Sequence, residues 1–284
     1  MSISFTRTSL CLLTIFTLLQ AKAQVSVVTQ HNNLDRTGWN DQETILTHDN
    51  VMAGKFGKVF TRSVDDQVYA QPLILSQIVI GGGIHNILIV ATVSNTVYAF
   101  DADSSGSQFN TPYWQVNLTP AGSRPVRYTD MSGACGGNYL DFQGNIGIVG
   151  TPVIDPNTLT IYLVTRSVSG NVYKQHLHAL DISTGAERAN SPVEIKASVN
   201  GRGQGNINGV ISFDPQKQNQ RPGLLLLNGI VYIGYSSHCD WRPYHGWLLG
   251  YDASSLQQKV IYNTTPEGAD GGIWMSAGAP SADE

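Results

Sequence analysis

Charge is what this chain has least of. Only 13% of its 284 residues are charged, the formal net charge is -4, and no run of basic residues occurs anywhere. Nucleic-acid binding by bulk electrostatics needs clustered Lys and Arg to displace counterions, so that class of function is excluded. Amphipathic runs of helical period do not extend beyond about two turns. With 29 Gly and 12 Pro the chain therefore reads as strands and turns, apart from a short capped turn over Thr47 to Met52. The long apolar run, Ser9 to Leu19, falls short of the ~20 residues that a membrane span requires. It lies between Arg7 and Ala21-Lys22-Ala23, the anatomy of a secretory signal peptide over residues 1–23 with cleavage near Ala23. The expected mature chain, 24–284, is exported, periplasmic or secreted, and has no transmembrane segment. Cysteine is scarce too. Cys11 falls in the leader, with Leu10 rather than a small residue before it, which argues against a lipoprotein. Cys135 and Cys239 remain, and in an oxidising compartment they form either one disulfide joining two loops or two separate buried thiols.

A phrase recurs three times: Val97-Tyr98-Ala99-Phe100-Asp101-Ala102, His178-Ala179-Leu180-Asp181-Ile182 and Leu249-Gly250-Tyr251-Asp252-Ala253. Each copy follows a strand-like run and leads into a Ser/Gly-rich turn, which makes it an internal repeat. The Asp-to-Asp spacings are 80 and 71 residues, longer than the ~40–50 of an ordinary propeller blade, so insertions lie between the copies. In each copy an apolar strand leads to a second strand and then to the strand that ends in Asp. Sheets of about four strands repeated radially make a β-propeller. The recurrence of Asp101, Asp181 and Asp252 marks them as structural acceptors for turn N–H groups rather than catalytic carboxylates.

Strands are expected at Val25–Gln30, Phe56–Val64, Tyr69–Leu75 and Asn86–Val93, the last apolar on both faces as in a strand packed between sheets. The insertions Pro120–Asn145 and Asn200–Gln220 read as long structureless loops on one rim. Gly271 to Pro280 looks like the inner strand of a further blade, so the sequence is expected to represent an incomplete ring, about half of one, in a fragment of a longer protein.

The turn Ala179-Leu180-Asp181-Ile182-Ser183-Thr184-Gly185 is similar to the A-x-D-x-x-T-G repeat of quinoprotein alcohol dehydrogenase-like (PQQ-like) propellers, in which a Trp follows. Gln67 to Leu73, Gly147 to Asp155, Gln220 to Gly223, Pro243 to Trp247 and Gly271 to Trp274 resemble exported bacterial proteins with such repeats. The resemblance implies an all-β fold, a β-propeller of four-stranded blades. It also implies a Trp four residues after the repeat Gly that docks onto the next blade. That position is Ala189 after Gly185 and Asn110 after Gly106, with Trp114 displaced, while the third copy has Ser255-Leu256 in place of Thr-Gly. Quinoprotein dehydrogenases resemble one another in two adjacent cysteines under the cofactor, and no Cys-Cys exists here. The repeats carry over, whereas no recognisable pyrroloquinoline quinone (PQQ) and calcium site does.

Two constellations could carry chemistry. Ser237 to Trp247 holds His238, Cys239, Asp240, Trp241 and His245, residue types that ligate zinc or copper. The spacing of seven between the histidines matches no helical or zinc-finger register, so the run reads as an ordered loop rather than a metal site. Arg124 and Arg127, beside Asp130, Asn138 and Asp141, could bind an anion bidentately or form a solvated ion network. Gly201-Arg202-Gly203-Gln204-Gly205 lacks the Lys and the strand-to-helix context of a phosphate loop. The candidate ligand-binding residues are thus His238, Asp240, Trp241, His245, Arg124, Arg127 and Trp274. The expected function is a binding or scaffold propeller whose rim loops take a ligand or partner, with a PQQ- and Ca²⁺-dependent oxidoreductase as the alternative.

Overall fold

A computed structural model describes residues 25–275 and 278–283, so the signal-peptide reading of residues 1–23 lies outside the described residues. The first sheet is an antiparallel meander of β1 (Leu73–Ile80), β2 (Gly83–Ala91), β3 (Thr96–Asp101) and β4 (Trp114–Asn117). In the second sheet, β5 (Arg124–Pro125) and β6 (Val153–Asp155) both pair with β7 (Thr160–Ser169), which pairs with β8 (Val172–Asp181) and then β9 (Val193–Glu194). A small hairpin follows, β10 (Ser198–Asn200) with β11 (Val210–Ser212). The third sheet repeats the second: β12 (Gln218–Asn219) and β13 (Leu225–Leu227) pair with β14 (Ile230–Ser237), followed by β15 (Trp247–Asp252) and β16 (Gln258–Asn263). The described residues contain short 3-10 turns and no α-helix.

The sheets stack face to face, as strand alternation requires. On β7, Ile161 and Leu163 join Ile87, Ile89 and Leu73 in a core between the first and second sheets. The intervening Tyr162 and Val164 join Val231, Ile233, Trp247 and Leu249 in a core between the second and third. β2 is apolar on both faces for the same reason, with Ile87 and Ile89 on one side and Leu88 and Val90 on the other. The inner ends of the second and third sheets converge, so that a Cβ on Gly223 would touch Thr151, Gln30 and Ala279. There Arg36 donates to the Pro280 carbonyl at 2.9 Å and the Gly223 N–H to the Gly278 carbonyl at 2.8 Å.

Several expected elements differ from those observed. Asn86–Val93 falls in β2, in the middle of its sheet, because β1 turns back onto it through Gly81 and Gly82 at φ 61° and 82°. Val25–Gln30 contributes an isolated bridge, Val27 to Ile74, and Phe56–Val64 joins no ladder. Val64 packs instead on the outer face of the first sheet, and the next residue, Asp65, accepts from the Thr92 hydroxyl at 2.7 Å. The insertions are not structureless. Residues 120–145 carry 3-10 turns at Tyr128–Asp130 and Ala134–Gly137 and a core of their own, and 200–220 carries β11 and β12.

Each repeat Asp is the last residue of its strand, and its Oδ1 accepts two N–H groups of the following turn. The donors are residues 103 and 104 for Asp101, 183 and 184 for Asp181, and 254 and 255 for Asp252. The turn and hydroxyl donors hold the Asp252 carboxyl at about 2. Trp114, displaced in sequence by the 3-10 turn Ser107–Asn110, is not displaced in space: its ring lies against Gly185 and its Nε1–H donates to the Ile182 carbonyl at 2.8 Å. Tyr162 makes the corresponding bond one sheet on, donating its hydroxyl to the Ala253 carbonyl at 2.8 Å. Trp114→Ala should therefore cost about 3 kcal/mol and Tyr162→Phe about 1–2 kcal/mol, measured by urea unfolding of the two variants against the parent chain. Equal costs would sink the view that ring packing outweighs the shared hydrogen bond.

Candidate functional site

Three rim loops meet over the second and third sheets. Cys135 in the first loop is bonded to Cys239 in the loop after β14, with Cα atoms 5.3 Å apart and a sequence separation of 104. The bond lies in a compact core with Met131, Ala134, Tyr139, Phe142, Ile146 and Val149. Trp241 covers Gly133, where any Cβ would overlap the indole, and Lys217 of the second loop stands 5.3 Å from the Trp241 ring. The Gln216 amide donates to the Asp130 carbonyl at 2.9 Å, and His245 Nε2 bonds the Gln204 carbonyl at 2.8 Å. Loops 120–145, 200–220 and 236–246 thus form one cap.

The residues singled out from the sequence take distinct places in it. Arg124 is a fork onto Asp130, both bonds at 2.7 Å, so its guanidinium is already occupied. Burial alone would raise the Asp130 carboxyl, but this fork and the Arg127 N–H hold it below its ordinary value. The Arg127 side chain is exposed, as is Asp240, which accepts from the Tyr244 hydroxyl at 2.6 Å. His245 is buried with both ring nitrogens engaged, Nδ1 on Thr265 and Nε2 on Gln204. Trp241 and Trp274 are half-buried. His238 is fully buried beneath the cap and bonds the Tyr139 hydroxyl through Nδ1 at 2.6 Å. The two histidines do not converge. Among the described residues the only triad of potential metal ligands is Cys135, Cys239 and Asp141, and its two sulfurs are joined to each other.

Below the cap lies a group absent from the sequence candidates. Arg166 on β7 is 1% exposed, and no carboxylate pairs with it among the described residues. Its Nη2 donates to the Gln216 carbonyl at 3.2 Å, while Nε and Nη1 have no acceptor. Burial pulls the guanidinium down to about 10, which leaves it a full cation at neutral pH. Burial and then the Arg166 charge press His238 well below its usual range, and burial raises Tyr235 well above its own. Tyr139 and His238 Nδ1 share one hydrogen bond, and His238 Nε2 and the Tyr235 hydroxyl are buried without a partner. Arg221, 5.8 Å from the Phe142 ring, keeps a buried Nη1 without a partner. Gln175 Oε1 and Gln218 Oε1 are buried acceptors without donors, but they carry no charge to offset the cation. The sequence signal was one lone charge in the strand-like stretch Ile161 to Val168, after the apolar Ile161 to Val164 and between Thr165 and Ser167.

No family model and no curated protein matches this chain. Among solved structures it is similar to a quinohemoprotein alcohol dehydrogenase from Pseudomonas putida HK5, with TM-score 0.52 and 16% identity over 84% of this chain and 27% of that one. A europium-containing methanol dehydrogenase aligns at TM-score 0.47 and 14% identity, over 84% of this chain and 32% of that one. A quinohemoprotein alcohol dehydrogenase from Comamonas testosteroni aligns at TM-score 0.38 and 12% identity, over 85% and 41%. The chain spans about a quarter of the length of the first. At these identities the first likeness carries the fold alone: a β-propeller arrangement of antiparallel sheets, as in quinoprotein dehydrogenases.

Two measurements test the cap. Cys135→Ser with Cys239→Ser should lower the unfolding free energy by about 3–5 kcal/mol, because the bond closes a loop of roughly a hundred residues in the unfolded chain. An unchanged urea midpoint would remove the bond from the cap's stability. For His238 the folded pKa is depressed, so its contribution is complete above the unfolded value near 6.5 and is lost as pH falls below it. The thermal midpoint should drop between about pH 6.5 and 5, and His238→Asn should flatten that slope.

Proposed function

We propose that this chain is part of an exported binding propeller that holds an anionic ligand, carboxylate- or oxyanion-bearing, beneath the three-loop cap. The observation that carries this reading is the Arg166 guanidinium, sealed from water with two nitrogens unpartnered and no carboxylate to neutralise it. A buried unpaired charge costs several kcal/mol, and an anion received by Arg166, His238 Nε2 and Tyr235 would offset that cost. The export reading rests on the leader-like residues 1–23. The apolar outer face of the third sheet, where Tyr232, Leu248 and Val260 are half-buried and Tyr262 is 56% exposed, supports a ring with further blades beyond this sheet.

A second reading, a PQQ- and Ca²⁺-dependent oxidoreductase acting on an alcohol or sugar, is favoured by the fold likeness. The described residues do not fit that cofactor pair. The two cysteines are 104 residues apart rather than adjacent, and the one ligand triad consists of disulfide sulfurs and a carboxylate, whereas Ca²⁺ takes six to eight oxygens. No reaction step is assigned on that basis.

The test is a thermal and calorimetric titration of the full chain with acetate, phosphate and chloride, and in parallel with PQQ with and without Ca²⁺. At ~100 Kd a bound anion should add about 2.7 kcal/mol. Arg166→Met should abolish that gain while raising the stability of the ligand-free chain by on the order of 1–4 kcal/mol. No anion response, together with an Arg166→Met variant less stable than the parent, would overturn the binding reading. A response confined to PQQ with Ca²⁺ would favour the second.

A further inference from the structure

Arg166 is not the only unsatisfied group in its layer, and the others do not all donate. It pairs across the strands with Gln175 of β8, and one sheet on Gln218 of β12 pairs with Ser237 of β14. Arg166 lies on the face of β7 that carries Tyr162 and Val164, and Ser237 on the face of β14 that carries Val231 and Ile233, so the two pairs face each other between the second and third sheets. All four residues are at most 2% exposed. The Gln175 side-chain nitrogen donates to the Pro215 carbonyl at 3.0 Å and to the Gln218 carbonyl at 2.8 Å. Two carbonyls can be met only by the NH₂ group, so these bonds fix which end of the amide is which. Gln175 Oε1 is thereby left without a donor, as is Gln218 Oε1, while Arg166 Nε and Nη1, the Tyr235 hydroxyl and the Ser237 hydroxyl have no partner among the described residues. A bare carboxylate or phosphate would satisfy the donors and leave the buried acceptors unmet.

We propose that the ligand beneath the cap is a small hydroxycarboxylate, its carboxylate on Arg166 and its hydroxyl donating to Gln175 Oε1; this rests on the anion reading above and narrows it. Arg166 and Gln175 stand opposite each other on paired strands, so a molecule of two or three carbons reaches both. Charge selects a hydroxyl over an amino group as the donor. A hydroxycarboxylate brings one negative charge to one cation, whereas the ammonium of an amino acid brings a second cation. No carboxylate pairs with Arg166 among the described residues, so that extra charge would stay uncompensated. Gln218 also lines a pocket of about 90 Å³ with Gln204, Asp214, Pro243, Tyr244 and His245, residues of two loops of the cap. That volume is far below the ~300–1,000 Å³ of drug-sized sites, so it restricts the ligand to a few heavy atoms. Glycolate or lactate meets that limit, and a sugar does not.

Glycolate, acetate, methoxyacetate and glycine are the probes, titrated into the full chain by calorimetry at one pH and one ionic strength. Glycolate should bind at least tenfold more tightly than acetate, because only its hydroxyl meets the buried acceptor. Methoxyacetate keeps the carboxylate and loses the hydroxyl proton, so it should bind no more tightly than acetate, and glycine should bind more weakly than glycolate. Gln175→Leu should bring glycolate down to the affinity of acetate and leave acetate unchanged. If that variant does not fold, the four-acid series on the unaltered chain decides alone. Equal binding of glycolate and acetate would overturn the hydroxycarboxylate assignment while the anion reading stands, whereas no binding of either would sink both. Glycine or methoxyacetate as tight as glycolate, or a folded Gln175→Leu that keeps the tenfold preference, would also overturn it.

Discussion

A sheet packed between two others has no solvent face, and most of this architecture descends from that constraint. β7 is apolar from Ile161 to Val164, sending Ile161 and Leu163 one way and Tyr162 and Val164 the other. Along that apolar stretch the packed faces offer little to register one sheet on the next, so that work falls to side chains that reach the turns. That is where the Trp114 and Tyr162 bonds lie, each reaching across to a carbonyl just past a repeat Asp. The Asp side chains in turn hold those carbonyls in place by accepting the turn N–H groups that follow them. Repeat, turn and lock are one mechanical unit.

Arg166 breaks the rule at the far end of the same strand. Four residues beyond Tyr162, the apolar alternation gives way to a cation, and the cap closes over it. A cap built by a disulfide, an indole on a glycine and a Tyr–His bond is a costly way to cover a polar strand end that water would otherwise satisfy. Its physical effect is to lower the local dielectric, which depresses His238 and raises Tyr139 and Tyr235 while leaving Arg166 charged at neutral pH. Low dielectric strengthens any attraction between that cation and an entering anion.

The repeat was legible because it is written in consecutive residues: the Asp, the turn after it and the strand before it are local. The both-faces burial of β2 followed from the same local pattern, whereas its place in the middle of the sheet did not. Phe56–Val64 shows where that reasoning stops, since its alternation fits a strand but its neighbour Asp65 is held by side-chain hydrogen bonds to Thr92 and Thr96, partners about thirty residues away. Trp114 shows the converse. Counting residues from Gly106 displaces it, yet the intervening 3-10 turn absorbs the extra length and returns it to the lock. The candidate histidines were found, but their roles depend on Tyr139, Thr265 and Gln204, none of which lies near them in sequence.

The polar clusters conspicuous in the sequence, Arg124 with Asp130 and Ser237 to Trp247, do not contain Arg166. The ordering of significance is the reverse. Arg124 and Asp130 are charged, adjacent and mutually satisfied, so little remains for them to do. Arg166 is surrounded by hydrocarbon and amide and is satisfied at one of three nitrogens. A protein gains no stability from such a residue, since an apolar side chain of the same length would pack there without the desolvation cost. The anion proposed above would account for its presence, and the Tyr235 hydroxyl and His238 Nε2, buried and unpartnered like two of its own nitrogens, are the groups that would share such a ligand.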